Sequence, residues 1–303
     1  RVNDIDIYAR VEPHHKLRII DAWHARGATV AMTGDGVNDA PALTAADIGV
    51  ALGSGVDVAK QASDLVLLDN NLGTITAAIE EGRVLFDNIR KVTVYLLADS
   101  FTEIILISGA VLLGLPTPLL PLQILWINLV ADSFPNLGLA FEPKEREVMD
   151  EPPRLRHEPV LNRNAFILIF IVGIITDLAL FGLYFWLLRQ GIDLPEIQTI
   201  IYTAVGIDSL LYVFAIRSLR RSVFRMNPFG NPHLLIGVLL GFGFLFLPFA
   251  YSGSREVFHL TSLDLSLWWV LLIMGLMKLV AIEIVKEIYI FAHETSSRLS
   301  HAR

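Results

Sequence analysis

The chain has 303 residues, a net charge of −7 and a hydrophobic fraction of 53%, with a mean hydropathy of +0.55. This composition is too apolar for an ordinary soluble domain of this length. Because there is no cysteine, disulfides and thiolate metal sites are excluded. The mild negative charge argues against a nucleic-acid partner. The polar opening shows no signal peptide, and its first residue is not Met, so we expect a piece of a longer polypeptide.

The first 90 residues or so alternate between short apolar runs and helix-compatible segments. Lys16 to Arg26 predicts a helix that ends at Gly27. The runs "ATVAM" (28–32), "IGVAL" (48–52) and "DLVLLD" (64–69) predict buried strands, with the helix-compatible "DVAKQAS" between the last two. This alternation favours a parallel sheet with helices on its faces. Ligands of such sheets bind at the carboxyl ends of the strands.

The stretch "TGDGVNDAPAL" begins where the first predicted strand ends. Its Asp35 and Asp39 suit Mg²⁺, which prefers one or two carboxylates together with phosphate oxygens and water. Lys16 could neutralise phosphoryl charge if its helix packs beside the same strand end. "GDG" alone is a weak signal, and a turn with acidic residues is the alternative.

Long apolar runs dominate after residue 90, and six of them approach the roughly 20 residues that a bilayer requires. The predicted spans are 91–114, 119–141, 165–188, 197–217, 233–251 and 265–285. The links after the second and fourth spans, and the segment after the sixth, are the basic ones. The positive-inside rule therefore places the N-terminal domain, both basic links and the C-terminus in the cytoplasm.

Acidic residues lie inside each of the first four predicted spans, where each charged group costs about 2.5–3.5 kcal/mol on insertion scales. They are Asp99, Glu103, Asp132, Asp177 and Asp208. Lys278 is the one candidate for a basic residue at these depths in the spans. Protons or bound cations are therefore expected to neutralise the acids. A single acid could instead be a protonated packing residue, and for Asp177 or Asp208 alone the two interpretations weigh equally.

The spacing of the polar residues in the first two spans favours an ion site. Asp99 and Glu103 are four apart, as are Asn128 and Asp132, so each pair shares a helical face. Pro135 is predicted to break its helix and to free the backbone carbonyl of Ala131. Carboxylates, an amide and a free carbonyl suit a hard cation, and broken helices at mid-membrane often mark ion sites in transporters.

Several stretches resemble the P-type ATPases. "TGDGVNDAPAL" is similar to the hinge motif of that family, and "ARVEPHHKLRII" and "ADIGVALGSGVDVAKQASDLVLLDNNLGTI" resemble its flanking sequence. "LQILWINLVADSFPNLGLAFEP" resembles the sixth transmembrane helix of the type II, calcium-pump-like members. The resemblance is continuous from about residue 5 to residue 150, and it weakens in the last four spans.

The resemblance implies a fold in three parts. Residues 1–75 would be the C-terminal half of the phosphorylation domain, an α/β domain of haloacid-dehalogenase-like (Rossmann-like) fold. Residues 76–90 would be a stalk helix, and residues 91–303 would be an all-α bundle of six transmembrane helices, the fifth to tenth of the family.

The resemblance also implies roles for the "TGDG" residues. Lys16 would contact the phosphorylated aspartate, and Asp35 would hold Mg²⁺. Asn38 and Asp39 would complete the site and orient the phosphate. ATP would be the substrate. The phosphorylated aspartate of "DKTGT", the "TGES" loop, a "KGA"-type nucleotide motif and the first four membrane helices are absent, so this chain would need an N-terminal part of the same pump.

The transported ion implied by the resemblance is Ca²⁺. Asn128, Asp132 and Glu103 match family ligands, whereas Ser100 and Ala131 replace an asparagine and a threonine. An eighth-helix glutamate would fall near Leu219 or Arg220 and would be lost. We therefore expect one Ca²⁺ per cycle. Glu103, Asp99 or Asp208 would carry counter-transported protons or form a rewired site, and Asp177 would lie on the same path.

Other functions stay open at this point. Mn²⁺ fits a similar oxygen site, and Na⁺, K⁺ or proton pumping by the same scaffold is disfavoured but not excluded. A haloacid-dehalogenase-type phosphatase on a membrane anchor would need its own "DxD" nucleophile, which does not precede "TGDG". A non-catalytic membrane subunit would not need Lys16, Asp35, Asn38 and Asp39 together. The absence of cysteine and of a targeting signal favours a prokaryotic plasma membrane.

Overall fold

The computed structural model describes residues 2–154, 159–161 and 173–301. The chain divides into two compact units, Arg1–Arg83 with Arg146–Glu158 and Val84–Glu145 with Pro159–Arg303. The predicted fold class is confirmed in outline, because a small parallel α/β part precedes a helical region. The two units are described separately below.

The first unit is built around three parallel strands in the order β1-β2-β3. Its elements are α1 (Pro13–His24), β1 (Ala31–Gly34), α2 (Ala40–Ala45), β2 (Ile48–Leu52), α3 (Asp57–Gln61) and β3 (Leu65–Leu67). The central strand β2 is the most apolar, and Val50 and Ala51 are buried, as expected for a strand covered on both faces. Register pairs Ala31 with Ile48 and Val50 with Leu65.

Strand β1 begins three residues later than the apolar run "ATVAM" predicts. The backbone of Val30 is already bound by Asp47, whose N–H donates to the Val30 carbonyl at 3.0 Å and whose carboxylate accepts the Val30 N–H at 2.8 Å. Ladder pairing therefore starts at Ala31, and Thr33 and Gly34 belong to the strand. The loop that follows the strand consequently begins at Asp35.

A long helix, α4 (Gly73–Leu112), crosses the boundary between the two units at residues 83 and 84. The predicted stalk and the first predicted span are thus one continuous helix. Within the first unit, Arg83 donates to the carbonyls of Val148 and Glu151 at 2.9 and 2.8 Å. These bonds attach the segment after Glu145 to the first unit.

The second unit is helical throughout its described part. After α4 come α5 (Pro121–Trp126), a π-helical segment (Ile127–Ala131), α6 (Ser133–Ala140), α7 (Ile174–Arg189), α8 (Leu194–Ile216), α9 (Pro232–Phe246), α10 (Ser252–Phe258) and α11 (Leu265–His301). Helix α8 is apolar all round and buried along most of its length, which makes it the centre of the unit.

Four helices of the described residues are long and apolar enough to cross a membrane: Gly73–Leu112, Leu194–Ile216, Pro232–Phe249 and Leu265–Ile288. The second predicted span (119–141) is divided into α5, the π-helical segment and α6, none of which is long enough alone. The first residues of the third predicted span, 165–172, lie outside the described residues. The helix of the sixth predicted span continues past residue 285 to His301.

Candidate functional site

The carboxyl end of β1 brings two of the predicted catalytic residues into direct contact. The Lys16 ammonium, from α1, lies 2.5 Å from Oδ1 of Asp39. The other carboxylate oxygen of Asp39 accepts the backbone N–H groups of Asp35 and Gly36 at 3.2 and 3.1 Å. Asp39 therefore connects the helix that carries Lys16 to the loop that follows the strand.

The geometry of this loop depends on Gly34, because a Cβ there would lie 2.5 Å from the Cβ of Asp39. Burial raises the pKa of Asp39. The hydrogen bond from Lys16 and the backbone bonds from Gly36 and Asp35 outweigh that effect, so the pKa lies below its usual value. Asp39 is therefore a carboxylate at neutral pH, and the ion pair with Lys16 is intact.

Asp35 and Asn38 lie on the same loop and both are exposed. Within the described residues, the side chain of Asp35 makes no hydrogen bond or ion pair, while its carbonyl accepts the Val56 N–H at 2.9 Å. A free carboxylate held by a fixed backbone at the end of a parallel strand fits a hard cation such as Mg²⁺. Asp35 is thus available as a ligand, whereas Asp39 is already engaged.

In the second unit, the acids of the first two predicted spans come together around one buried carboxyl group. Asp132 is only 2% exposed. Its Oδ1 accepts the hydroxyl of Ser209 at 2.6 Å and that of Tyr95 at 3.3 Å. The Asp99 carboxyl group lies within hydrogen-bonding range of Asp132. Two carboxylates this close require a proton or a cation between them.

A second pair extends this group. The amide nitrogen of Asn128 lies 2.8 and 3.0 Å from the two carboxylate oxygens of Glu103. Glu103 is partly buried and Asn128 is exposed. Among the described residues, no lysine, arginine or histidine forms an ion pair with Asp99, Glu103 or Asp132. We call these three acids and Asn128 the carboxylate cluster.

The helix break beside Asp132 has a different form from the one that Pro135 alone predicts. Residues 127–131 form a π-helical turn, and the Asp132 N–H donates five residues back to Ile127 at 3.0 Å. Pro135 lies beyond this turn and has no N–H to donate to the Ala131 carbonyl. The irregular backbone predicted here is present, and it takes the form of a widened turn, a feature frequent at functional sites.

Ser100 was predicted as an ion ligand, yet among the described residues its hydroxyl makes no hydrogen bond to the cluster. Its side chain is exposed, and its hydroxyl donates to the carbonyl of Leu96 in the same helix at 2.9 Å. Of the predicted ligands, the structure therefore groups Glu103, Asn128 and Asp132 with Asp99, and leaves Ser100 aside.

Lys278, the one basic residue expected at these depths, is the partner of Asp177 and Asp208, so these two acids do not depend on protons or bound cations alone. Its ammonium lies 3.3 Å from Oδ1 of Asp177 and forms a hydrogen-bonded ion pair with Asp208. Asp177 is 1% exposed and also accepts the Thr102 hydroxyl at 2.8 Å. We call Asp177, Asp208 and Lys278 the lysine triad.

The expected position of an eighth-helix acid is also corrected. Leu219 and Arg220 lie after α8, which ends at Ile216, and Arg220 pairs with Asp87 at 2.6 Å. The acid in the interior of this helix is Asp208, a member of the lysine triad, whereas Glu196 lies in its first turn.

Sequence reasoning missed three hydroxyl groups at these sites, those of Tyr95, Ser209 and Thr102. Tyr95 shows a usable signal, since it precedes Asp99 by four residues and extends the same helical face. Ser209 and Thr102 lie on other helices than the acids they bind, so spacing along the chain carries no sign of them.

Comparison with known proteins is consistent with this architecture. Residues 116–288 match the family described as cation transporting ATPase, C-terminus, and residues 17–79 match haloacid dehalogenase-like hydrolase. The chain therefore belongs to the cation-transporting P-type ATPases, and it corresponds to their C-terminal region.

Named relatives include the calcium-transporting ATPase of Bacillus subtilis, 42% identical over 91% of this chain and 31% of that protein. Calcium-transporting ATPase 1 of Bacillus cereus is 37% identical over 94% of this chain and 34% of its own length. Calcium-transporting ATPase type 2C member 1 of Mus musculus is 36% identical over 95% of this chain and 31% of its own length. The chain thus spans about a third of the length of these relatives.

Proposed function

We propose that this chain is the C-terminal part of a pump that exports Ca²⁺ from the cytoplasm at the expense of ATP, through an aspartyl-phosphate intermediate. The observation that carries the proposal is the carboxylate cluster, in which three acids and an amide converge beside an irregular helix without a basic partner in the described part of the chain. Oxygen ligands of this kind suit Ca²⁺. The names of the three relatives favour the same ion.

The proposal assigns three parts to the chain. Residues 1–75 are the C-terminal half of a haloacid-dehalogenase-like phosphorylation domain, residues 76–90 are the stalk, and residues 91–303 form six transmembrane helices. The match to a haloacid dehalogenase-like family over residues 17–79 supports the first part. The chain would reside in a prokaryotic plasma membrane, with its N-terminal domain and C-terminus in the cytoplasm.

In the phosphorylation domain, the Lys16 ammonium would neutralise an acyl phosphate formed on an aspartate outside this chain. Asp39 holds that ammonium in place, and it also fixes the loop through the N–H groups of Asp35 and Gly36. Mg²⁺, held by Asp35, would supply charge neutralisation for the phosphoryl oxygens. Asn38 would complete the polar surface on the same loop.

In the membrane domain, Asn128, Glu103 and Asp132 would supply side-chain oxygens to one Ca²⁺, and Ala131 would supply a backbone carbonyl. Asp99 would share a proton with Asp132 when the ion is absent, because the two carboxyl groups are adjacent. The partial exposure of Glu103 and the exposure of Asn128 leave room for a further ligand from the N-terminal part of the pump.

Transport measurements test this proposal. The full-length pump that contains this chain would be placed in sealed vesicles, and ATP-dependent uptake of ⁴⁵Ca²⁺ would be measured beside Asp132→Asn. We expect uptake that needs ATP and Mg²⁺ and falls at least tenfold in the variant. Uptake of Mn²⁺, Na⁺ or K⁺ in place of Ca²⁺ would contradict the ion assignment. Equal uptake by both proteins would contradict the site.

A further inference from the structure

The lysine triad is the feature that the proposed function leaves without a role. Asp177, Asp208 and Lys278 come from three different helices, α7, α8 and α11. Their side chains are 1%, 16% and 14% exposed. Burying three ionisable groups at this depth is costly unless they neutralise one another.

The position of the ammonium is closely defined. It binds an oxygen of each carboxyl group, and it lies 5.6 Å from the centre of the Tyr212 ring, a distance at which the ring face attracts a cation. The Thr102 hydroxyl gives Asp177 a further donor. Lys278 therefore lies between two carboxylates, which is where a bound metal ion would otherwise lie.

The carboxylate cluster and the lysine triad consequently differ in whether they contain a basic side chain. In the described residues, the carboxylate cluster has three acids and no basic side chain, whereas the lysine triad has two acids and an ammonium held between them. A soluble cation can enter the first by displacing a proton, with no basic side chain to move. Entry into the second would require an ammonium on a packed helix to leave both of its partners.

We propose that Lys278 is a specificity-determining residue, an internal cation that withdraws Asp177 and Asp208 from ion binding and limits the pump to one transported ion. This inference rests on the proposed function, since it explains the stoichiometry of that transport. It replaces the expectation that Asp177 and Asp208 lie on a path for protons or ions.

The decisive test is equilibrium binding of ⁴⁵Ca²⁺ to the purified full-length pump at fixed pH. Asp208→Asn leaves a neutral pair of Lys278 and Asp177, so folding should persist. We expect one Ca²⁺ per pump, with half-saturation within about threefold of the unmodified protein. The matched variant Asp132→Asn should weaken binding at least tenfold. If Asp208→Asn weakens binding as much as Asp132→Asn does, Asp208 is a ligand and the proposal is wrong.

Removal of the ammonium gives the complementary test. Lys278→Met removes the ammonium and keeps an unbranched side chain that is one heavy atom shorter, and a cavity of about 280 Å³ already borders the triad. At pH 8 we expect two bound Ca²⁺ instead of one, with a return to one in Lys278→Met/Asp208→Asn and no change in Lys278→Arg. A folded Lys278→Met pump that still binds one Ca²⁺ would overturn the proposal. If that variant does not fold, the Asp208→Asn comparison decides alone.

Failure of the proposed function would look different from failure of this inference. An unmodified pump that binds no Ca²⁺ contradicts the ion assignment, and the same variants are then compared with the cation that does support phosphorylation. The effect of Asp208→Asn relative to Asp132→Asn remains the test of Lys278.

Discussion

Replacing Arg217 with methionine should strongly destabilise the second unit. Arg217 is 2% exposed. Its Nε and Nη2 lie 3.0 and 2.9 Å from Oε1 of Glu142, and its Nη1 donates to the carbonyls of Asn227 and Pro228 at 3.1 Å. The other oxygen of Glu142 accepts the amide of Asn231 at 2.7 Å. The guanidinium thus satisfies a buried carboxylate and two carbonyls at once.

The expected loss of stability follows from the buried groups that lose their partner in the variant. Arg217→Met leaves Glu142 buried without its counter-charge, which costs roughly 3–5 kcal/mol when one partner of a buried pair is removed. Arg225 gives a matched control, because it pairs with Glu287 at 2.8 Å but is 72% exposed. Arg225→Met should cost no more than about 1 kcal/mol. Replacing both Arg217 and Glu142 with methionine should recover part of the loss.

Thermal unfolding in detergent, followed by tryptophan fluorescence, measures these effects. A loss of 3–5 kcal/mol corresponds to a drop in midpoint of roughly 6–20 °C at about 2–4 °C per kcal/mol. Arg225→Met should shift the midpoint by a few degrees at most. If Arg217→Met and Arg225→Met unfold together, the buried pair does not have the structural role inferred for it.

Two further predictions concern close packing and the ion pair of the phosphorylation loop. A Cβ at Gly237 would lie 2.4 Å from a backbone oxygen of α6, whereas a Cβ at Gly243 of the same helix would enter open space. Gly237→Ala should therefore cost about 1–3 kcal/mol of stability and lower the unfolding midpoint by several degrees, while Gly243→Ala should leave the midpoint nearly unchanged. Similar shifts in the two variants would contradict this packing. Asp39→Asn should cost the first unit about 1–2 kcal/mol at pH 6, as judged by amide hydrogen exchange, because a charge-assisted bond to Lys16 is lost. Folding lowers the pKa of Asp39. The Asp39 carboxylate therefore stabilises the folded unit at pH values above its pKa in the unfolded chain, which is near 4, and this stabilisation is lost as the pH falls through its pKa in the folded protein. The difference between the two proteins should therefore shrink below about pH 4, and a difference independent of pH would refute the ion pair.

The first unit could be predicted well from local sequence. The apolar run "IGVAL" forms β2 over the predicted residues, Ile48–Leu52, because a strand buried on both faces is apolar throughout. The predicted start of β1 was three residues too early, because the Asp47 carboxylate binds the backbone N–H of Val30. This contact joins residues 17 apart in the chain, and an apolar run does not indicate it.

The candidate ion site could be predicted only in part. Spacing by four residues predicted that Asp99 lies with Glu103 and Asn128 with Asp132, whereas the hydrogen bonds of the structure join Asn128 to Glu103 across two helices. The π-helical turn at 127–131 was not predicted, because a widened turn has no simple sequence period. Lys278 was expected as the one basic residue at these depths, but its two acidic partners were not predicted, for a similar reason. These residues meet through the packing of three helices that are far apart in the chain.

The measurement that tests the central claim most directly is formation of phosphoenzyme from ATP as a function of free Ca²⁺. It uses the full-length pump that contains this chain, with Asp132→Asn in parallel and with Mn²⁺, Na⁺ and K⁺ as separate series. If the carboxylate cluster binds the transported ion, phosphorylation should need micromolar Ca²⁺ and should lose that dependence in Asp132→Asn. Phosphorylation that is driven by another ion, or that responds to Ca²⁺ equally in both proteins, would contradict the account.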